Sequence, residues 1–224
     1  MLESIKSLDT QLTLLLNGSD SLFVDNFAFY ATKTTTWIPL GLLLLYVLVS
    51  IKNWKNLLLV ILCIALAITF ADQVASGIFK PLVGRLRPSH NPELEGFIDL
   101  VNGYKGGRYG FFSSHAANTS AVAVFVSLLF RNKLFTILIC SWSLLNCWTR
   151  LYLGVHYVGD ITVGLLWGTF VGWIVYKIYN LLSVKFISGN NNALYTSQHS
   201  KLLSEGIIVT YVALLIYAYL DTIL

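Results

Sequence analysis

Residues 56–88 read NLLLVILCIALAITFADQVASGIFKPLVGRLRP. The stretch 56–79 is an almost unbroken apolar run, long enough to carry an α-helix through the hydrocarbon core of a bilayer, which takes about 20 residues. It ends at Lys80-Pro81, and Lys80, Arg85 and Arg87 then follow in quick succession before Pro88. A helix that leaves a membrane at a proline and sets three cations at its exit predicts a membrane protein with polar work to do at that surface. Runs of the same kind recur at 37–51, 116–130, 134–153, 157–182 and 207–224. Over the 224 residues, 56% are apolar and 12% charged, against roughly a quarter charged in soluble domains. A water-soluble domain is thereby excluded. The expected fold is all-α, a polytopic membrane helix bundle of about six transmembrane helices plus an N-terminal interfacial helix.

That interfacial helix is read from residues 2–16. Leu2, Ile5, Leu8, Leu12, Leu15 and Leu16 recur at helical spacing, while Glu3, Lys6, Ser7 and Asp9 are polar. The start, MLESIKSLDTQL, mixes acids with its lysine and has no small-residue cleavage site after an apolar core, so no cleavable signal is expected. One domain, 1–224, is expected, with an interfacial N-terminal segment at 1–35, a region of catalytic motifs at 80–160, a polar loop at 183–206 and an extra C-terminal span at 207–224. Cys63, Cys140 and Cys147 all lie in apolar runs and read as small buried hydrophobes. No compact tract of Lys and Arg accompanies the net charge of +4, which argues against a nucleic-acid partner.

Counting crossings puts the end of the 56–79 run, the start of 116–130, the end of 134–153 and the start of 157–182 on one side of the membrane. Those four points carry Lys80 with Arg87, then His115, then Arg150, then His156 with Asp160. The opposite side holds Lys52, Lys55, Arg131, Lys133, Lys177, Lys185 and Lys201. With Lys80, Arg87 and Arg150 set aside as site residues, the excess of basic residues makes that opposite side cytoplasmic and turns the site outward.

Each cluster admits a plain and a functional reading. Lys80, Arg85 and Arg87 could merely flank a helix end or snorkel to headgroups. Ser113 and Ser114 precede His115 at the start of an apolar helix, where a serine caps and the free backbone N–H groups offer an anion a seat. A lone interfacial histidine could equally be structural. His156 and Asp160 stand four apart, which on one helix face lets the carboxylate hold one ring nitrogen and aim the other at a substrate. A structural ion pair is the plainer reading, but charged groups at membrane depth are costly enough to make function the default. A metal held by His115, His156 and Asp160 is conceivable by residue type, yet the cations gathered at the same place would repel it. A phosphate fits better. No metal and no cofactor is expected, and nothing in the chain calls for an obligate protein partner.

The three clusters resemble the signature motifs of the type-2 phosphatidic acid phosphatase and vanadium haloperoxidase superfamily. Lys80 to Pro88 matches its lysine, six residues, Arg-Pro; Phe112 to His115 matches its Pro-Ser-Gly-His; Thr149 to Asp160 matches its Ser-Arg, five residues, His, three residues, Asp. Phe112 and Ser114 stand where the family has proline and glycine, and Thr149 keeps the hydroxyl of the family's serine. The resemblance implies that Lys80, Arg87 and Arg150 bind phosphate oxygens, with backbone N–H groups at Ser113 and Ser114 completing the cradle. It implies further that His156 attacks phosphorus, His115 protonates the leaving group and Asp160 orients His156. The function it implies is a metal-independent membrane lipid phosphatase that hydrolyses a phosphate monoester or pyrophosphate of a lipid through a phosphohistidine intermediate. Phosphatidylglycerophosphate, undecaprenyl diphosphate, phosphatidate and lipid A are all compatible substrates. The expected place is the bacterial inner membrane, the site facing the periplasm. Residues 89–111, rich in glycine and aromatics, would form a lid over the headgroup. The rival reading is a non-catalytic protein that binds or transports an anionic lipid with the same basic cluster.

Overall fold

The computed structural model of the chain describes residues 2–187 and 194–224. These residues form eight helices: α1 Leu2–Leu16, α2 Leu22–Ala31, α3 Ile38–Ser50, α4 Trp54–Val83, α5 Ser114–Phe130, α6 Lys133–Tyr152, α7 Val158–Phe186 and α8 Ser197–Ile223. Short polar side chains start several of them. Asn53 caps α4 by accepting from Asn56 N (3.0 Å), and Asn132 caps α6 by accepting from Phe135 N (3.0 Å). Helices α5 and α6 are joined by a sharp turn in which Arg131 takes the left-handed conformation (φ 51°).

Helices α4, α6, α7 and α8 are long and apolar enough to cross a bilayer, and the pair α2 and 34–50, bent by 70°, makes a fifth such element. Helix α5 is apolar but has 17 residues, about 26 Å at the helical rise, slightly under a typical hydrocarbon thickness. Two elements differ from the sequence reading. Helix α8 begins at Ser197 rather than 207, because Thr196 caps it and its polar first turns stay helical. Helix α2 lies within the 1–35 segment but packs into the bundle against α8 and α6, with Ala28 and Ala31 fully buried. The polar loop expected at 183–206 is shortened from both ends, since α7 runs to Phe186; residues 188–193 of it lie outside the described residues.

Helix α5 is the centre, touching α4, α6 and α7. Its closest partner is α7, which presents Gly164, Gly168 and Gly172 on one face. A Cβ at Gly164 would stand 2.6 Å from the Ser113 carbonyl oxygen, and those at Gly168 and Gly172 would collide with the Ala117 and Ala121 carbonyls. The two backbones therefore touch, as small-residue stripes allow in membranes. Helix α1 lies at the same end of the bundle as the start of α7. Its Ile5, Leu8, Leu12 and Leu15 point outward while Thr13 is fully buried, inverting the usual order of a soluble helix. Cys63 and Cys147 are buried and unpaired, matching their reading as small buried hydrophobes, whereas Cys140, also unpaired, is only partly buried.

Candidate active site

The four helix ends expected to converge do so. Lys80, near the end of α4, donates from Nζ to Ser114 Oγ (3.1 Å) in the first turn of α5, and Ser113 N donates to the Asp160 carbonyl (3.1 Å) in the first turn of α7. Behind Lys80, residues 73–79 widen into a π-helical segment, a feature common at functional sites. Lys80 Nζ also donates to Ser76 Oγ (3.1 Å), Ser76 to Asp72 Oδ1 (3.4 Å), and Asn118 Nδ2 to the same oxygen (3.4 Å). Asp72, about two turns before Lys80 on the same helix, is thus linked to it through Ser76.

Ser114 and Ser113 do different jobs from those expected. Ser114 is the first residue of α5, and the described non-glycine residues with positive φ are Lys52, Asn102 and Arg131, so this position asks for no glycine. Its hydroxyl instead anchors Lys80. Ser113 is fully buried; its N–H is spent on Asp160 and its Oγ accepts from Ala116 N (3.3 Å) as the helix cap. The expectation that Ser113 offers its N–H to a phosphate is therefore corrected. The amides of the first turn not engaged in this way are those of Ser114 and His115, which have no partner inside their own helix.

His156 and Asp160 are paired, but not along a helix face. His156 lies before α7, and Asp160 turns back to accept from Tyr157 N (3.1 Å) with the same Oδ2 that faces His156 Nδ1 at 3.3 Å. The helix's own capping box, rather than helical periodicity, brings the two together. With Nδ1–H directed at the carboxylate, Nε2 keeps its lone pair. Burial above all, and then the charges of Arg87, Arg150 and Lys80, hold the His156 pKa well below the ordinary histidine value, against a smaller pull from the Gly110 carbonyl. The ring is neutral at pH 7. Arg150, Arg87 and Lys80 also direct their positive charge at His115, with the neutral His156 ring beside it.

Arg150 is 2% exposed and His156 1%. One guanidinium nitrogen of Arg150 donates to Thr32 Oγ1, Nη2 donates to Tyr104 Oη (3.1 Å), and the buried Nε has no partner. Arg87 Nε donates to the Tyr109 carbonyl (3.2 Å). The segment following Pro88 folds over these groups. Arg87 N to Arg108 O (3.1 Å) and Gly110 N to Arg85 O (2.9 Å) pin its far end beside the first motif. Two glycines let it lie so close: a Cβ at Gly106 would stand 2.5 Å from Arg87 Nη1, and one at Gly110 would stand 2.9 Å from Asp160 Oδ2.

Four participants were given no role in the site from the sequence. Thr32 and Tyr104 hold Arg150, while Arg85 donates to Asp160 Oδ1 (3.0 Å) and to Asp9 Oδ2 (2.7 Å). Arg85 carried a signal, since it lies inside the first motif. The others sit in segments with no motif. Among the described residues no group of three His, Cys, Asp or Glu is arranged to hold a metal ion.

Residues 56–183 match the PAP2 superfamily. A lipid A 4'-phosphatase of Bacteroides thetaiotaomicron is 44% identical over 190 residues, covering 84% of this chain and 84% of that protein. A lipid A 4'-phosphatase of Porphyromonas gingivalis is 37% identical over 178 residues, 80% of this chain and 75% of the relative. A decaprenylphosphoryl-5-phosphoribose phosphatase of Mycobacterium tuberculosis is 32% identical over 106 residues, 47% of this chain and 54% of the relative. No solved structure gives a significant match.

Proposed function

This chain belongs to the PAP2 superfamily, and from that premise we propose that its substrate is a phosphorylated lipid A, from which it removes the 4'-phosphate. It is an integral membrane lipid phosphatase that hydrolyses phosphoester bonds. The observation that carries the substrate is that two relatives, each aligned over three quarters or more of both chains, are lipid A 4'-phosphatases.

The residues divide the work as follows. Lys80, Arg87 and Arg150, with the amides of Ser114 and His115, take the non-bridging phosphate oxygens, and Arg150 Nε is a buried donor free to do so. Neutral His156 attacks phosphorus through Nε2 as the bond from phosphorus to the sugar oxygen breaks. His115 gives its proton to that oxygen, so the lipid leaves as an alcohol. A water then transfers a proton to His115 and attacks the phosphohistidine, freeing inorganic phosphate and restoring His156. Asp160 keeps Nδ1–H oriented throughout.

Purified protein in detergent should release phosphate faster from bis-phosphorylated lipid A than from phosphatidylglycerophosphate, undecaprenyl diphosphate or phosphatidate, leaving the 1-phosphate in place by mass spectrometry. A faster release from another member of the panel would replace the substrate. Binding of these lipids with no phosphate released from any of them would favour the non-catalytic anion-binding reading. The site faces the periplasm of a bacterial inner membrane, the side with fewer basic residues once the site's own are set aside. A cysteine at Asn91 should then react with an impermeant thiol reagent in spheroplasts and one at Asn53 should not; the reverse pattern would invert the orientation.

A further inference from the structure

Helix α1 reaches the catalytic pair through one arginine. Asp9 Oδ2 accepts from Arg85 Nη2 at 2.7 Å, and Arg85 Nη1 donates to Asp160 Oδ1 at 3.0 Å. The other oxygen of Asp160 faces His156 Nδ1 at 3.3 Å. The chain of contacts therefore runs Asp9, Arg85, Asp160, His156, and its first link comes from a helix that lies outside the residues 56–183 matched to the superfamily. The guanidinium is also stacked 3.7 Å over the Tyr157 ring, so its plane is fixed by the ring and its direction by the two carboxylates.

Asp9 is itself held by the start of α7. Its Oδ1 accepts from Gly159 N (2.7 Å), and Thr13 Oγ1, one turn along α1, accepts from Val158 N (3.1 Å). These are first-turn amides with no partner inside their own helix. Gly159 gives the carboxylate room, since a Cβ there would stand 3.0 Å from Asp9 Oδ2. Asp160 is fully buried and Arg85 about a quarter exposed. A long side chain in that setting has other rotamers toward solvent, and Asp9 selects the one whose Nη1 meets Asp160 Oδ1. That leaves Oδ2 for the histidine.

We propose that Asp9 is a positioning residue for the phosphatase reaction, fixing Asp160 through Arg85 and thereby the attacking ring of His156. Helix α1 is then part of the working enzyme as well as a face for the membrane. The inference rests on the reading of His156 as the nucleophile.

Asp9→Asn keeps an oxygen for Gly159 N and removes the charge that holds Arg85. It should lower kcat about tenfold or more, the usual order for an outer-shell partner, with KM unchanged because Asp9 does not touch substrate. Asp9→Glu should recover part of the loss. Thr13→Val removes the neighbouring cap and the Thr13 Oγ1 bond to the Asp9 backbone carbonyl (2.7 Å) but keeps the Asp9 carboxylate and every side-chain link after it, so it should lower the melting temperature in detergent and leave kcat as in the wild type. Wild-type kcat in folded Asp9→Asn would overturn the proposal, as would equal falls in kcat and melting temperature for Asp9→Asn and Thr13→Val, which would make Asp9 a helix cap alone. Should Asp9→Asn not fold, Arg85→Lys carries the test: it keeps the charge and loses the fork, and wild-type kcat in that variant would equally overturn it. All variants are compared on whichever lipid phosphate the wild type turns over fastest. A wrong substrate assignment then shows in the wild type, and a wrong positioning role only in the ratio.

Discussion

His156 sits before the first turn of α7 and Asp160 reaches back to the amide of Tyr157, so the pair is set by a capping box whose backbone geometry leaves the ring little freedom. His115 occupies the first turn of α5, across the site. The division of labour between them is tested by the leaving group. A sugar alkoxide leaves badly without a proton, so His115→Ala should slow lipid dephosphorylation by about 10²- to 10⁴-fold and largely spare p-nitrophenyl phosphate, whose phenolate leaves unaided. His156→Ala should lose both substrates. An equal loss on both in His115→Ala would make His115 a phosphate-binding residue instead. The ionisable members of the site were legible in the sequence because each marks a helix end with a charge that lipid would not tolerate. Ser113 was misread because local spacing cannot tell which amide of a helix start is already used. Asp9 was illegible because its partners, Arg85 and Gly159, lie far along the chain and leave no pattern near it.

At the scale of elements, the site depends on how closely α5 and α7 approach, since one carries His115 and the other Asp160. Gly164, Gly168 and Gly172 make that approach possible. Gly168→Ala places a methyl against the Ala117 carbonyl and Ser120 Oγ, an overpacking that should cost about 1–3 kcal/mol. It should lower the melting temperature in detergent and reduce activity together. Gly41→Ala, where the added carbon meets nothing within 4 Å, should do neither; equal effects would show that the stripe does not set the spacing. The spacing Gly164-x₃-Gly168-x₃-Gly172 was present in the sequence as a small-residue repeat, but which helix it faces is a tertiary fact. The apolar runs fixed the existence of α3 to α7 well. They did so less well for the beginning of α8, where capping by Thr196 overrides the polarity of its first turns, and for α2, a short element made useful by the bend that follows it.

Across the whole molecule, the ends of α4 and α6 and the starts of α5 and α7 gather Lys80, Arg150, His115 and His156 at one end, and the apolar runs that set the crossings are the same feature that made the fold readable. What could not be read is how the chain closes over that end. The loop after Pro88 is held by the Leu86–Tyr109 bridge, and α1 and α2 contribute Asp9 and Thr32 from segments without motifs. The central claim is that this assembly dephosphorylates a lipid by way of a phosphate on His156. It is tested most directly by acid-free quenching of purified protein during turnover of lipid A labelled with ³²P at the 4'-phosphate. The account predicts acid-labile, alkali-stable label on the peptide that contains His156, chasing to free phosphate with unlabelled substrate and missing from His156→Ala. Steady release of phosphate by His156→Ala at the wild-type rate, with no label on the wild-type protein at any time, would contradict it.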